Sequence, residues 1–242
     1  MFKDLIHDSD KIAIRSRNQS ISFRDLVRQV ESLASTLNID PGAHVALFAD
    51  NSPNWIVCLY AVWYRGGVVV PIDYSAEPED LAYMLQDSDP QMVLTDSNGL
   101  LKIQECLPGD SQPSFELIRI DPFPVSESSA VKHGSRESDT ALILYTSGTT
   151  GKPKGVMLSF DNICFNINAV IQTEMLVAED RILALFPFHH IVPLQGHILC
   201  PLFIGATVCF ADELSAESIL HSFKEYQITV LNGVPLLYER FH

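Results

Sequence analysis

Apolar residues first fall into a helical rhythm after Ser22-Phe-Arg-Asp25, where Leu26, Val30, Leu33 and Leu37 share one face and Ser22 is placed to cap the helix. Pro41-Gly42 ends that pattern, and 44–49 (HVALFA) is a compact run of strand length. Asp50-Asn51-Ser52-Pro53 opens a second helix, with Ser52 as N-cap and Pro53 in the first helical position. Gly66-Gly67 closes it, and 68–72 (VVVPI) is a buried strand. A third helix begins at Glu77-Pro78-Glu79-Asp80, where acidic residues suit the helix dipole, and runs to about Asp87. Residues 91–95 (QMVLT) make a third strand. Helices alternating with short apolar strands predict an α/β fold of layered sheets covered by helices.

Residues 121–139 break the rhythm with three prolines or glycines and five serines, and read as a surface connection. A strand at 140–145 follows, then a loop at 146–155 and a returning strand at 156–158. Ser159 caps a helix through about Met175. Strands are predicted at 181–186, 207–210 and 228–231, a helix at 215–226, and a further helix starting at Pro235. The expected organisation is a first α/β part at 1–120, the connection at 121–139, and a second α/β part at 140–242 that stops inside its last helix, as in a piece of a longer protein.

Composition narrows the function. Asp plus Glu number 30 against 16 Lys plus Arg, a net charge of −14, which disfavours nucleic acid as a partner. Hydrophobic residues form 47% of the 242 positions, enough for a packed core. Cys58, Cys106, Cys164, Cys200 and Cys209 are scattered, without a C-x-x-C pair or a signal peptide, and read as mostly buried, reduced thiols of a cytoplasmic protein. From 182 to 211 there is no Asp, Glu, Lys or Arg. Pro187, Pro193, Gly196, Pro201 and Gly205 interrupt that stretch, whereas a spanning helix needs roughly 20 apolar residues, so it reads as buried core.

The chemistry concentrates in 145–155, YTSGTTGKPKG. Gly148, Gly151 and Gly155 let a backbone approach a ligand closely. Thr146, Ser147, Thr149 and Thr150 offer hydroxyls, and Lys152 and Lys154 place positive charge in an acidic chain. This is a polyphosphate cradle following an apolar strand. It is no Walker A loop, because Lys152 is followed by Pro153 and position 146 is Thr, and it is no G-x-G-x-x-G fingerprint.

The motif YTSGTTGKPKGV resembles the phosphate-loop signature of the adenylate-forming superfamily of acyl-CoA synthetases, aryl-CoA ligases, luciferases and peptide-synthetase adenylation domains. The resemblance extends in order through 42–48, Asn51, Ala61, Gly66-Gly67 and Pro71, then Phe186-Pro-Phe-His-His190, and Val230-Leu-Asn-Gly-Val-Pro235. Pro71-Ile-Asp-Tyr74 and Phe188-His-His-Ile191 are most similar to bacterial long-chain fatty acyl-CoA synthetases. The implied fold is the large N-terminal domain of such an enzyme, truncated.

The resemblance implies activation of a fatty acid or other carboxylate by Mg·ATP to an acyl-adenylate, then transfer to coenzyme A. Thr146, Ser147, Gly148, Thr149, Thr150, Gly151, Lys152 and Lys154 would hold the β- and γ-phosphates, with Thr146 nearest Mg²⁺ and Lys154 the ordered, catalytic lysine. His190 would orient the carboxylate or gate the acyl pocket; its other reading is a core histidine satisfied by backbone. Ile191, Val192, Asn232 and Gly233 are candidates for the pocket wall. His189, His190 and His197 lack the H-E-x-x-H spacing or a cysteine partner of a zinc site. Approach to a membrane surface and the oligomeric state stay open. Three alternatives remain: an aryl-acid or amino-acid adenylating enzyme, a non-catalytic nucleotide-binding or interaction module of the same fold, and a phosphotransferase, which the absent Walker Ser/Thr weakens.

The later family motifs for adenine, ribose and the C-terminal catalytic lysine do not occur in these residues. The 242-residue chain is therefore expected to bind ATP weakly or not at all and to release no pyrophosphate in a coupled assay over a fatty-acid panel; robust release would refute this.

Overall fold

The computed structural model describes residues 9–106, 114–122, 139–146 and 151–233. In chain order the first elements are β1 (Ile12–Ser16), β2 (Gln19–Ser22), α1 (Phe23–Thr36), β3 (His44–Phe48), α2 (Pro53–Tyr64), β4 (Val68–Pro71), α3 (Pro78–Ser88), β5 (Met92–Thr95), α4 (Ser97–Cys106) and β6 (Glu116–Arg119). There follow β7 (Thr140–Thr146), β8 (Lys154–Ser159), α5 (Phe160–Gln172), β9 (Arg181–Ala184), α6 (Ile191–Pro193), a π-helical turn (Leu194–Leu199), α7 (Cys200–Ile204), β10 (Thr207–Phe210) and α8 (Ala216–Tyr226). The described residues fall into two compact units, one within 27–164 and one made of 9–26 with 165–233. That division follows the two sheets, each with its own set of strands, rather than the connection read at 121–139; most of that connection, 123–138, lies outside the described residues.

The first unit holds a six-stranded sheet in the order β6-β5-β3-β4-β7-β8. All neighbours run parallel except β7 and β8, which form an antiparallel pair. Helix α2 begins where the sequence places it: the Ser52 hydroxyl accepts the Trp55 N–H at 3.2 Å and Pro53 needs no partner for a missing donor. Every residue of 55–64 is buried, which explains why this helix carries no amphipathic stripe. Trp63 ties it to the sheet. Its indole N–H donates to the Ala141 carbonyl at 2.8 Å, and its ring meets Tyr60 and Phe160 edge-on at 5.6 and 5.4 Å.

The second unit holds the sheet β2-β1-β10-β9, with an antiparallel β1–β2 hairpin and parallel neighbours beyond it. Lys11, beside β1, donates to the carbonyls of Ala178 and Gly205, the latter at 2.6 Å, and so neutralises main-chain acceptors in this unit. Within the uncharged stretch, 191–204 is helical. Within the π turn the ladder widens, and the Cys200 N–H reaches back five residues to the Gln195 carbonyl. Gly205, at φ +84°, ends α7 in the left-handed conformation.

The sequence pattern does not contain β1, β2, α4, β6 or the helical turns at 191–204, and other elements differ from it in extent. The strand expected at 228–231 is a single bridge, Ile182 to Val230, because the Thr229 hydroxyl takes the Arg181 N–H at 2.9 Å in place of a ladder carbonyl. Helix α5 stops at Gln172 instead of Met175, where Glu174 turns left-handed at φ +54°. The helix expected from Pro235 lies outside the described residues. Among the described residues no helix is long and apolar enough to cross a membrane. All five cysteines are free thiols, with Cys58, Cys200 and Cys209 buried.

Because Trp63 joins helix and sheet by packing and by a buried hydrogen bond, Trp63→Ala is expected to cost about 3–5 kcal/mol of folding stability, read from urea unfolding of the chain.

Candidate functional site

In a parallel sheet, ligands favour the crevice at the carboxyl ends of strands where the winding order reverses. Here that reversal lies between β3 and β5, and the chain fills it with its own side chains. Asp96, just past β5, accepts through Oδ1 from the Tyr74 hydroxyl at 2.8 Å and the Gly99 N–H at 2.7 Å, and through Oδ2 from the Asp50 N–H at 2.9 Å. The Thr95 hydroxyl donates to the Phe48 carbonyl at 2.7 Å. A Cβ on Gly99 would stand 2.8 Å from that same oxygen, so only glycine fits. Lys102 covers the network, donating to the Tyr74 carbonyl at 2.6 Å with its ammonium 4.0 Å from the Tyr74 ring centre. Burial and the Asp96 carboxylate hold the Tyr74 phenol protonated far above its usual range. The crevice is a structural latch.

The glycine-rich loop leaves the same carboxyl edge two strands away, at the end of β7. Ser147, Gly148, Thr149 and Thr150 lie outside the described residues. Its flanks are ordered by strand register: Tyr145 stands opposite Gly155, and Thr146 opposite Lys154. Directly opposed residues of an antiparallel pair share a face, and successive residues alternate. Thr146 and Lys154 therefore leave one face together, both exposed, at the mouth of the loop. Tyr145 leaves the other face, towards α3, where its hydroxyl donates to Asp87 Oδ2 at 2.7 Å. Burial first, and then Asp87, push its phenol well above the ordinary tyrosine range. Gly155 makes this fit: a Cβ there would sit 2.9 Å from Ile143 Cγ2 and against the Tyr145 ring. Gly151 adopts φ +91° with open space around it, a backbone that glycine alone takes without strain. Lys152 turns to the α3 side, its ammonium 4.8 Å from the Tyr83 ring centre. The two lysines, equivalent in the sequence, are thus separated by face.

The remaining site residues belong to the second unit. His190 is exposed and precedes α6 as its N-cap, so the reading as a core histidine does not describe it. Its Nε2 lies 3.1 Å from Nε2 of His189, a hydrogen bond in which one ring donates and the other accepts. Ile191 and Val192 follow at 38% and 77% exposure. Asn232 and Gly233 are exposed too, and the Asn232 amide donates to the Gly196 carbonyl of the π turn at 3.1 Å. Gly196 permits that approach, since a Cβ would stand 3.0 Å from the amide nitrogen.

Sequence reasoning passed over Tyr83 and Asp87, which belong to no motif, and the environment of His197. That imidazole is buried in the π turn, stacked on Phe186 at 6.0 Å, and neither ring nitrogen makes a hydrogen bond of ordinary length and angle among the described residues, the Asn232 main chain being a looser neighbour. Burial lowers its pKa to about 4, with the Asn232 backbone acting weakly the other way. Among the described residues, no three His, Cys, Asp or Glu side chains converge as metal ligands.

The comparisons agree with this architecture. Residues 5–241 match the AMP-binding enzyme family, and the chain belongs to that family. It is 28% identical to the malonate–CoA ligase ACSF3 of Mus musculus, over 96% of this chain and 42% of that protein. It is 28% identical to a feruloyl-CoA synthase of Amycolatopsis, over 94% of the chain and 46% of that protein. The crystal structure of ATP-bound MatB from Rhodopseudomonas palustris superposes with a TM-score of 0.85 at 27% identity, over 99% of this chain and 50% of MatB. The chain thus spans about half the length of the relatives it matches.

His197 makes stability depend on pH. Its folded pKa, about 4, lies below the unfolded value of 6.5, so the unfolded chain binds a proton first as pH falls. Stability from this residue is complete above pH 6.5 and is lost progressively towards pH 4, by roughly 3 kcal/mol in all. Urea midpoints of the chain at pH 7.5 and pH 5 are expected to differ, and His197→Phe to remove most of that difference.

Proposed function

We propose that this chain is the phosphate-gripping N-terminal part of an AMP-forming carboxylate–CoA ligase. The observation that carries the proposal is the register at the end of the β7–β8 hairpin, which puts the Thr146 hydroxyl and the Lys154 ammonium on one exposed face beside a glycine-rich turn. Charge builds on phosphate oxygens as a carboxylate attacks the α-phosphorus of ATP, and donors already fixed in place stabilise it without reorganising. Lys154 supplies compact positive charge. The exposed Thr146 hydroxyl and the left-handed Gly151 fit a metal–triphosphate group, and Thr146 would hold Mg²⁺. The metal, when bound, neutralises charge on the phosphates.

On the acyl side, exposed His190 is proposed to meet the carboxylate, with His189 fixing its ring through the Nε2–Nε2 hydrogen bond. Ile191 and Val192 present apolar surface next to it in a stretch without charged residues, which favours a fatty acyl chain over a dicarboxylate. Asn232 and Gly233 are proposed to complete the wall, and coenzyme A to accept the acyl group. The relatives named for malonate and ferulate make carboxylate choice the part to be decided by experiment.

The complete gene product, supplied with ATP, Mg²⁺, coenzyme A and carboxylates of graded length, is expected to form AMP and pyrophosphate with highest kcat/KM on fatty acids. Preference for malonate or ferulate would overturn the substrate assignment alone. Lys154→Met is expected to lower kcat/KM for ATP about 100-fold. A loss below about threefold would overturn the phosphate-gripping assignment.

A further inference from the structure

The two flanks of the glycine-rich loop dock on one helix. On the entering flank Tyr145 donates to Asp87 Oδ2 at 2.7 Å, with the Met84 carbonyl 3.4 Å away. On the returning flank the Lys152 ammonium lies over the Tyr83 ring at 4.8 Å. Tyr83 and Asp87 are one helical turn apart on α3, and the Tyr83 hydroxyl points to Asp87 Oδ1 at 3.5 Å. This helix is anchored independently of the loop: Leu81, Met84 and Leu85 are buried in the core cluster with Val70, Val93 and Ile143. Asp87 is exposed, while Tyr83 and Tyr145 are half-buried and pack their rings against that same cluster, so the Asp87 contact can be removed without touching the core and the Tyr83 contact only if an apolar side chain replaces the ring. Their effect falls on the loop.

We infer that Tyr83 and Asp87 are positioning residues for nucleotide binding. Asp87 fixes the plane in which β7 enters the loop, and the Tyr83 ring keeps Lys152 on the α3 side. Both contacts hold the hairpin so that Thr146 and Lys154 stand ready on its opposite face. Lys152 then acts as a strut rather than as a phosphate ligand, which assigns the two lysines of the motif different work. The inference rests on the proposed function, since it names what sets the geometry of that same site.

The test uses the complete gene product and compares KM for ATP, KM for the carboxylate, kcat and Tm. Asp87→Ala and Tyr83→Leu are each expected to raise KM for ATP about fivefold to tenfold, leaving the carboxylate KM within about twofold. Tm of Asp87→Ala should move by no more than about 2 °C, as for an exposed contact, and Tyr83→Phe, which keeps the ring packed, should stay within the same limit. Tyr83→Phe keeps the ring face and is expected to recover most of the ATP affinity lost in Tyr83→Leu. Combining Asp87→Ala with Tyr145→Phe should cost little more than either alone, because both remove one hydrogen bond. Gln86→Ala, on the same helix, serves as the control. An ATP KM within twofold of the unmodified enzyme in both Asp87→Ala and Tyr83→Leu overturns the inference. So does a parallel rise in both KM values with a fall in Tm, the signature of a merely structural role. If the unmodified protein releases no pyrophosphate with any carboxylate, the proposed function fails and this inference with it; activity with an unmoved ATP KM removes the inference alone.

Discussion

The alternation of side chains across the β7–β8 pair is the constraint on which the flanks of the glycine-rich loop depend. A strand repeats every two residues, so pairing Thr146 with Lys154 decides at once which groups look outward and which look towards α3. A slip of β8 by one residue would set Lys154 opposite Tyr145 and turn the lysine towards α3, away from Thr146. Two glycines secure the register. Gly155 leaves room for the Tyr145 ring, and Gly151 takes a backbone angle that lets the turn close. The chemistry of the motif is in this sense a consequence of ladder geometry.

The same edge of the sheet shows two answers to one electrostatic problem. Where the strand order reverses, Asp96 collects the main-chain N–H groups of Asp50 and Gly99 and seals the crevice. It occupies the place that an anionic ligand takes in many open α/β sheets. Two strands away the chain provides lysines and hydroxyls but no carboxylate of its own within 145–155. In a chain of net charge −14 that local reversal marks the point on the edge where we propose that a polyphosphate binds.

Much of the first unit was legible because its elements are strongly marked. Ser52-Pro53 announces α2, Gly66-Gly67 ends it, and the apolar runs at 44–49 and 68–72 have no competing period. The β1–β2 hairpin was not legible, since Gln19, Ser20 and Ser22 give it too few apolar positions to alternate. Residues 228–231 carried a strand pattern that Thr229 defeats with a side-chain acceptor, which no periodicity reveals. For the proposed site, the glycine-rich loop and His190 stand out in the sequence through motif chemistry. The contacts of Tyr83 and Asp87 with the loop flanks were not legible, because Asp87 meets Tyr145 across 58 residues of sequence and both look like ordinary surface positions of a helix. The burial of His197 was equally hidden, an uncharged imidazole being compatible with either surface or core.

One feature of the sheet reaches beyond nucleotide chemistry. β8 is the last strand of its sheet among the described residues, and Val156 and Met157 lie open on it at 44% and 62% exposure. Its outer row of main-chain donors and acceptors is a template on which another strand can grow, with Lys154 at its start as the only charge to discourage trespass. Any polypeptide that zips onto this border splices itself to the very ribbon that bears Lys154. A strand added there would share its backbone with the proposed nucleotide grip, so that whatever stiffened the border would stiffen Lys154 as well.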